Sequence, residues 1–141
     1  MKILLKITYK LFLFVFLTAI TQIGGIVYLI SLLISKKWNK KLKFKNLIIF
    51  TTIYLVSTLL IVPLIAPIFG REKVKHSEKI KPTNYMTILL NRNYLRPKLN
   101  ELLSKTEKEL SGTNIEIHYL DANFPFIDKF PLLPHLSHND G

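Results

Sequence analysis

The side chains with the most chemical potential stand at the end of the chain, in His135-Leu136-Ser137-His138-Asn139-Asp140-Gly141. Imidazole is the commonest zinc ligand, and a nearby carboxylate can ligate the ion or orient the ring. A hydrolytic zinc centre needs three protein ligands and an open position for the water it activates. Two histidines three apart, on a loop bounded by Pro134 and Gly141, fall short of that set. On spacing alone they read as polar residues at a flexible end. The chain has no cysteine, so a disulfide framework, a thiolate zinc site and a cysteine nucleophile are all excluded.

The elements that would carry this loop divide the chain into two very different parts. Hydrophobic residues make up 49% of the 141 residues, yet the formal net charge is +11, and mean hydropathy is +0.27. Residues 1–82 hold 14 Lys+Arg against 2 Asp+Glu, and residues 83–141 hold 6 against 7. The positive charge therefore lies in the half that also contains the long apolar runs. This pattern excludes a disordered chain, argues against a nucleic-acid partner, and points to a membrane protein with the lipid bilayer as its surroundings.

Residues 11–34 form a run of 24 residues without a charge, and residues 47–69 a second of 23. At 1.5 Å per residue each is long enough to cross a hydrocarbon core of about 30 Å. The fold class expected is a membrane α-helical hairpin of two transmembrane helices, followed by a small, incomplete α+β segment. Residues 1–10 are its basic N-terminus and 35–46 its basic loop. The Lys-bearing start fits a signal peptide, but the apolar run is too long and lacks a small-x-small cleavage site, so an uncleaved anchor is expected. Thr21 with Gly25 forms a small-xxx-small pair that would suit a close helix contact, although glycine is simply common in membrane helices. Pro63 and Pro67 are expected to kink or end the second helix. Neither span holds an Asp, Glu, Lys, Arg or His, which leaves a transporter or proton relay without support.

The loop carries Lys36, Lys37, Lys40, Lys41, Lys43 and Lys45, with Trp38 as an interfacial anchor. The positive-inside rule would put that cluster in the cytoplasm and both termini outside a bacterial inner membrane. Eight cations on the other side (Lys2, Lys6, Lys10, Arg71, Lys73, Lys75, Lys79 and Lys81) weigh against it.

Residues 70–82, charged and bounded by Gly70 and Pro82, read as a juxtamembrane linker, with His76 a solvated histidine. Within 83–141, Asn84 to Leu90 suits either a short strand or a short helix. Pro97 opens a helix whose Leu99, Leu102, Leu103 and Leu110 share one face, Glu101 and Lys105 pair along it, and Gly112 stops it. Ile115, Ile117 and Tyr119 alternate with Glu116 and His118, a half-buried strand. A helix, one strand and a proline-rich tail are too few elements to enclose a core.

From Tyr94 onward the chain resembles the start of the catalytic fold of the zinc D-Ala-D-Ala peptidases and penicillin-insensitive murein endopeptidases. Leu95-Arg96-Pro97 opens the helix, Ile115 to Leu120 is the strand, and His135-x-Ser137-His138-x-x-Gly141 is similar to the endopeptidase loop. The resemblance implies His138 as the first zinc ligand, Gly141 as the turn residue of the metal loop, and peptidoglycan as the partner. The family usually carries an arginine after the strand for the substrate carboxylate, where this chain has Tyr119-Leu120-Asp121-Ala122-Asn123. Its Asp ligand would fall four positions beyond Gly141, with the remaining histidine and base further on. The expectation is a membrane-anchored N-terminal part of a peptidoglycan-peptidase-like protein, catalytically incomplete over these 141 residues, with no catalytic residue of its own and zinc held only in a longer form. The alternative is a small two-span membrane protein acting as an assembly subunit for another membrane protein.

Overall fold

The computed structural model describes residues 2–38 and 42–127. The chain is mostly helical, with two helices long and apolar enough to cross a membrane, Ile3–Thr21 and Lys45–Phe69, and a small strand-containing segment. It forms two compact units, Met1–Leu60 and Ile61–Gly141.

In the first unit, the run expected as one helix over 11–34 is two. Helix α1 (Lys2–Thr21) and helix α2 (Gly24–Lys37) are joined by a tight turn in which Gln22 takes the left-handed conformation, φ 62°. The turn is built from hydroxyl chemistry. Thr21 Oγ1 donates to Leu17 O at 2.9 Å and accepts from the Gly24 amide at 2.8 Å, capping the start of α2. The two glycines are a close helix contact and not a matter of composition. A Cβ at Gly25 would lie 2.7 Å from the Phe14 carbonyl oxygen and 2.0 Å from Thr18 Oγ1, and one at Gly24 would lie 2.7 Å from Leu17 O. Residues seven and eleven apart meet this way only if α2 folds back antiparallel on α1.

Helix α3 (Lys45–Val56) then packs along α2, and Ser35 Oγ donates to Asn46 Oδ1 across the pair. Because α2 reverses the chain, α1 and α3 start at the same end of the unit. The interior mixes small and polar residues, Thr21, Gln22, Gly24, Gly25, Ser31, Ser35 and Thr58, with the aliphatic Ile23, Val27 and Ile49, all buried. The exterior is apolar: Leu5, Phe12, Leu33 and Leu60 stand mostly exposed. That is the reverse of a soluble helical bundle, and it is how helices pack where the surroundings are as apolar as leucine.

Beyond Val56 the long helix loosens into a π turn (Ser57–Ile61), continues as α4 (Val62–Ile65) and tightens into a 3-10 turn (Ala66–Phe69). Pro63 has no amide to donate, and the wider turn before it accommodates the ring. The helix ends at Gly70, whose φ of 69° lets the Gly70 and Arg71 amides return to Pro67 O and Ala66 O.

The second unit has a core, contrary to expectation. Val74, Ile80 and Leu95 are buried together, and Leu99, Leu103, Ile117, Tyr119 and Ala122 pack on them. Two of those residues come from 70–82, which is not a linker. Strand β1 (Glu72–Lys73) pairs antiparallel with β3 (Tyr94–Leu95), and β2 (Ile80–Pro82) pairs parallel with β4 (Ile117–Tyr119). A strand of two or three residues is too short to show a period, so the charged stretch hides them. Asn84 to Leu90 holds one helical turn, α5 (Met86–Leu89). Helix α6 (Pro97–Glu109) begins and stops as expected, and the Glu101–Lys105 pair forms at 2.9 Å. Its buried face differs. Leu99 and Leu103 reach the core, Leu102 is 57% exposed, and Asn100 is buried instead.

Candidate functional site

The second unit buries the polar side chains of Asn91, Asn93 and Tyr94, with Arg92 half-buried among them, together with Asn100 and Asn123. Asn91, at φ 58°, turns the chain out of α5 and into β3. The Arg92 amide donates to Thr87 O at 2.8 Å, and Arg92 O accepts from the Ala122 amide at 2.9 Å, so the residue is held on both sides. Its guanidinium then meets Asp121 two residues past β4, with Nη1 to Oδ2 at 3.0 Å. The ring of Phe124 lies 5.4 Å from the guanidinium carbon. Both charges are largely buried, with side chains 25% and 17% exposed.

These groups stand on a groove of about 510 Å³, lined among others by Asn84, Thr87, Arg92, Tyr119 and Asp121. Among the described residues, Arg92 Nε and Asp121 Oδ1 have no hydrogen-bond partner, and neither has the Tyr94 phenol oxygen. Burial pushes the Tyr94 phenol far above the ordinary range for tyrosine, so it stays protonated. A half-buried charge pair at the wall of a groove can bind a polar ligand such as a carboxylate through the part of the guanidinium that the groove reaches. Sequence reasoning passed over Arg92. The available signal was a polar run without glycine or proline, lying between an apolar turn and Pro97, where a solvated loop would ordinarily carry breakers.

A second cluster flanks β4. The Tyr119 phenol lies 2.5 Å from His76 Nε2, and the two rings stack at 5.7 Å. Burial raises the Tyr119 hydroxyl to about 12, so it remains the donor and Nε2 accepts. His76 is exposed, as the sequence suggested, and partial desolvation first, with the Lys73 charge second, moves its imidazole below 6.5. The folded unit therefore favours neutral His76. Its stabilisation is complete above pH 6.5, and it is lost as pH falls below that value, because the unfolded chain takes up the proton first. The denaturation midpoint of the unit is expected to fall between about pH 7.5 and about pH 5.5, and His76→Phe, which keeps the ring stack, should flatten that slope. An unchanged slope in the variant would assign it to other groups.

On the other side of the strand, Glu116 accepts from Lys81 at 3.0 Å and lies 3.0 Å from His118 Nε2. The Lys81 hydrogen bond, then that of His118, hold the Glu116 carboxyl below its usual range. The cluster is exposed, and it is a solvated network.

His135, Ser137, His138, Asp140 and Gly141, the residues of the zinc-loop expectation, lie outside the described residues. Among the described residues no group of three His, Cys, Asp or Glu side chains could hold a metal ion. No protein-family model, no curated protein and no solved structure matches the chain.

Proposed function

We propose that the chain is an integral membrane protein that displays a peptidoglycan-peptidase-like unit toward the cell wall from a bacterial inner membrane. One observation carries the wall-facing part of this reading. The helix opened by Leu95-Arg96-Pro97 and the strand Ile117–Tyr119 pack on one core, and Arg92 supplies a guanidinium beside the end of that strand. The family resembled usually carries an arginine after the strand for a substrate carboxylate; the residues that follow β4 contain none, a departure from that pattern, and Arg92 comes from ahead of helix α6. The role proposed for the described part of this unit is binding of peptidoglycan stems, with Arg92 as the group that meets a stem carboxylate.

The membrane part is supported by the inverted packing of the first unit and by its charge. Residues 1–60 contain nine lysines and no Asp, Glu or Arg. Since α1 and α3 run the same way, two crossings would need a return crossing by α2, whose 14 residues rise only about 21 Å against a core of about 30 Å. A single crossing by Lys45–Phe69 fits better, with the α1–α2 hairpin entering the bilayer and returning. Lys6, Lys10, Lys36, Lys37, Lys43 and Lys45 then share one end, which the positive-inside rule assigns to the cytoplasm. In this arrangement the N-terminus is cytoplasmic, and the segment after Phe69 is outside.

Co-sedimentation of the detergent-solubilised chain with purified peptidoglycan sacculi tests the wall-facing reading. The parent chain is expected to pellet with sacculi, and Arg92→Gln to weaken retention about tenfold, the worth of a charge-assisted hydrogen bond. A parent chain that stays in the supernatant overturns it.

A further inference from the structure

The first unit contains a groove of about 470 Å³ among α1, α2 and α3, polar at one end and apolar along its length. Lys6, Tyr9 and Lys10 line the polar end, and Leu13, Leu17 and Phe50 the apolar part. Lys6 and Lys10 are one helical turn apart on α1, so their like charges face the same side and repel. No acidic side chain of the unit offsets that repulsion, because residues 1–60 hold no Asp or Glu. Four other lysines among the described residues are engaged or stand elsewhere. Lys45 Nζ donates to Trp38 O at 3.0 Å, Lys43 lies over the Phe44 ring at 5.3 Å, and Lys36 and Lys37 do not line the groove.

We propose that this groove binds one anionic phospholipid, with the phosphate between Lys6 and Lys10 and the start of an acyl chain along Leu13, Leu17 and Phe50. A free phosphate would satisfy the lysines but leave the apolar wall uncovered. A zwitterionic lipid would cover the wall but bring its own cation to the lysine pair. Only an anionic lipid matches both ends of the groove. The proposal rests on the reading that this unit lies in a bilayer.

The test is native mass spectrometry of the full chain released from detergent micelles, titrated with phosphatidylglycerol or with phosphatidylcholine of the same acyl chains. The parent is expected to retain phosphatidylglycerol preferentially. K6Q/K10Q should weaken that binding about thirtyfold, two lysines near a lipid surface contributing about equally, and should leave phosphatidylcholine binding unchanged. K6R/K10R should restore the parent behaviour, and K36Q/K37Q should stay within about threefold of it. The site is overturned if K6Q/K10Q binds phosphatidylglycerol as the parent does, or if K36Q/K37Q loses as much. Displacement of the lipid by millimolar inorganic phosphate would overturn the lipid as its ligand. Alkaline carbonate extraction of membranes containing the same chain is read separately. Release into the supernatant refutes the bilayer placement itself, whereas retention with no lipid preference refutes the groove alone.

Discussion

A cysteine placed at Tyr9 is expected to change sides of the membrane when the turn at Gln22 is removed. In the parent chain, the left-handed Gln22 and the Thr21 cap reverse the backbone, and Gly25 lets α2 approach the Phe14 carbonyl with only a hydrogen between them. The combined change Gln22→Ala, Gly24→Leu and Gly25→Leu removes the left-handed residue and places side chains where a Cβ would already lie 2.7 Å from two backbone oxygens. Backbone cannot yield as a side-chain tip can, so closing the hairpin over these residues would cost about 3 kcal/mol or more. The uncharged run of 24 residues is then free to form one continuous helix long enough to cross the bilayer. Labelling with a membrane-impermeant maleimide should reach Tyr9→Cys and Lys43→Cys from the same face in the parent, and from opposite faces in the variant. The hairpin reading is sunk if the parent already labels at the two sites from opposite faces.

The second large effect concerns Asn100, which no periodicity marks. It lies on the buried face of α6 with 1% exposure. Its amide nitrogen donates to Glu72 Oε1 at 2.8 Å and to Lys73 O at 2.7 Å, and its oxygen accepts from the Lys75 amide at 3.3 Å. One side chain thus joins helix α6 to the short strand β1 and satisfies backbone groups that β1 is too short to pair by itself. Asn100→Leu keeps the volume but leaves Lys73 O and the Lys75 amide without that partner. Each unsatisfied buried group costs about 1–3 kcal/mol, so the loss should be about 3 kcal/mol. For a unit of this size that lowers the melting temperature by about 15 °C. Glu101→Ala, which removes a fully exposed i,i+4 pair one residue away, should leave the midpoint unchanged. Equal melting of the parent and Asn100→Leu would show that α6 is held by its leucines alone.

These two residues illustrate what could be read in the chain and what could not. The helix from Pro97 was legible because its signals are local: proline at the first helical position, leucines three and four apart, and Gly112 beyond the end. The alternation ending at Tyr119 was legible for the same reason, although only Ile117–Tyr119 pairs as strand. The strands within 70–82 were not, since two or three residues among lysines and glutamates carry no period, and their burial depends on partners at 94–95 and 117–119. Asn100 and Arg92 were hidden in another way. A polar residue in a sequence reads as solvated until the partners that satisfy it, brought from 28 and 29 residues away, are in place.

The first unit divides along the same line. Composition alone determined that the lysines and the apolar runs share one half of the chain, and that residues 47–69 suit a membrane crossing, because length, charge and transfer free energy are sums over residues. The path of the first run was decided by tertiary structure. A straight helix and a hairpin contain the same 24 apolar residues, and hydropathy cannot tell them apart. The choice turns on one positive φ, one threonine hydroxyl and two absent Cβ atoms, whose effect appears only when α2 lies against α1. That fold-back also changes the reading of the charge met first in the sequence. Lys6 and Lys10, counted opposite Lys36, Lys37, Lys43 and Lys45 in a two-span hairpin, lie with them at one end of the unit, where they meet no acid from that unit.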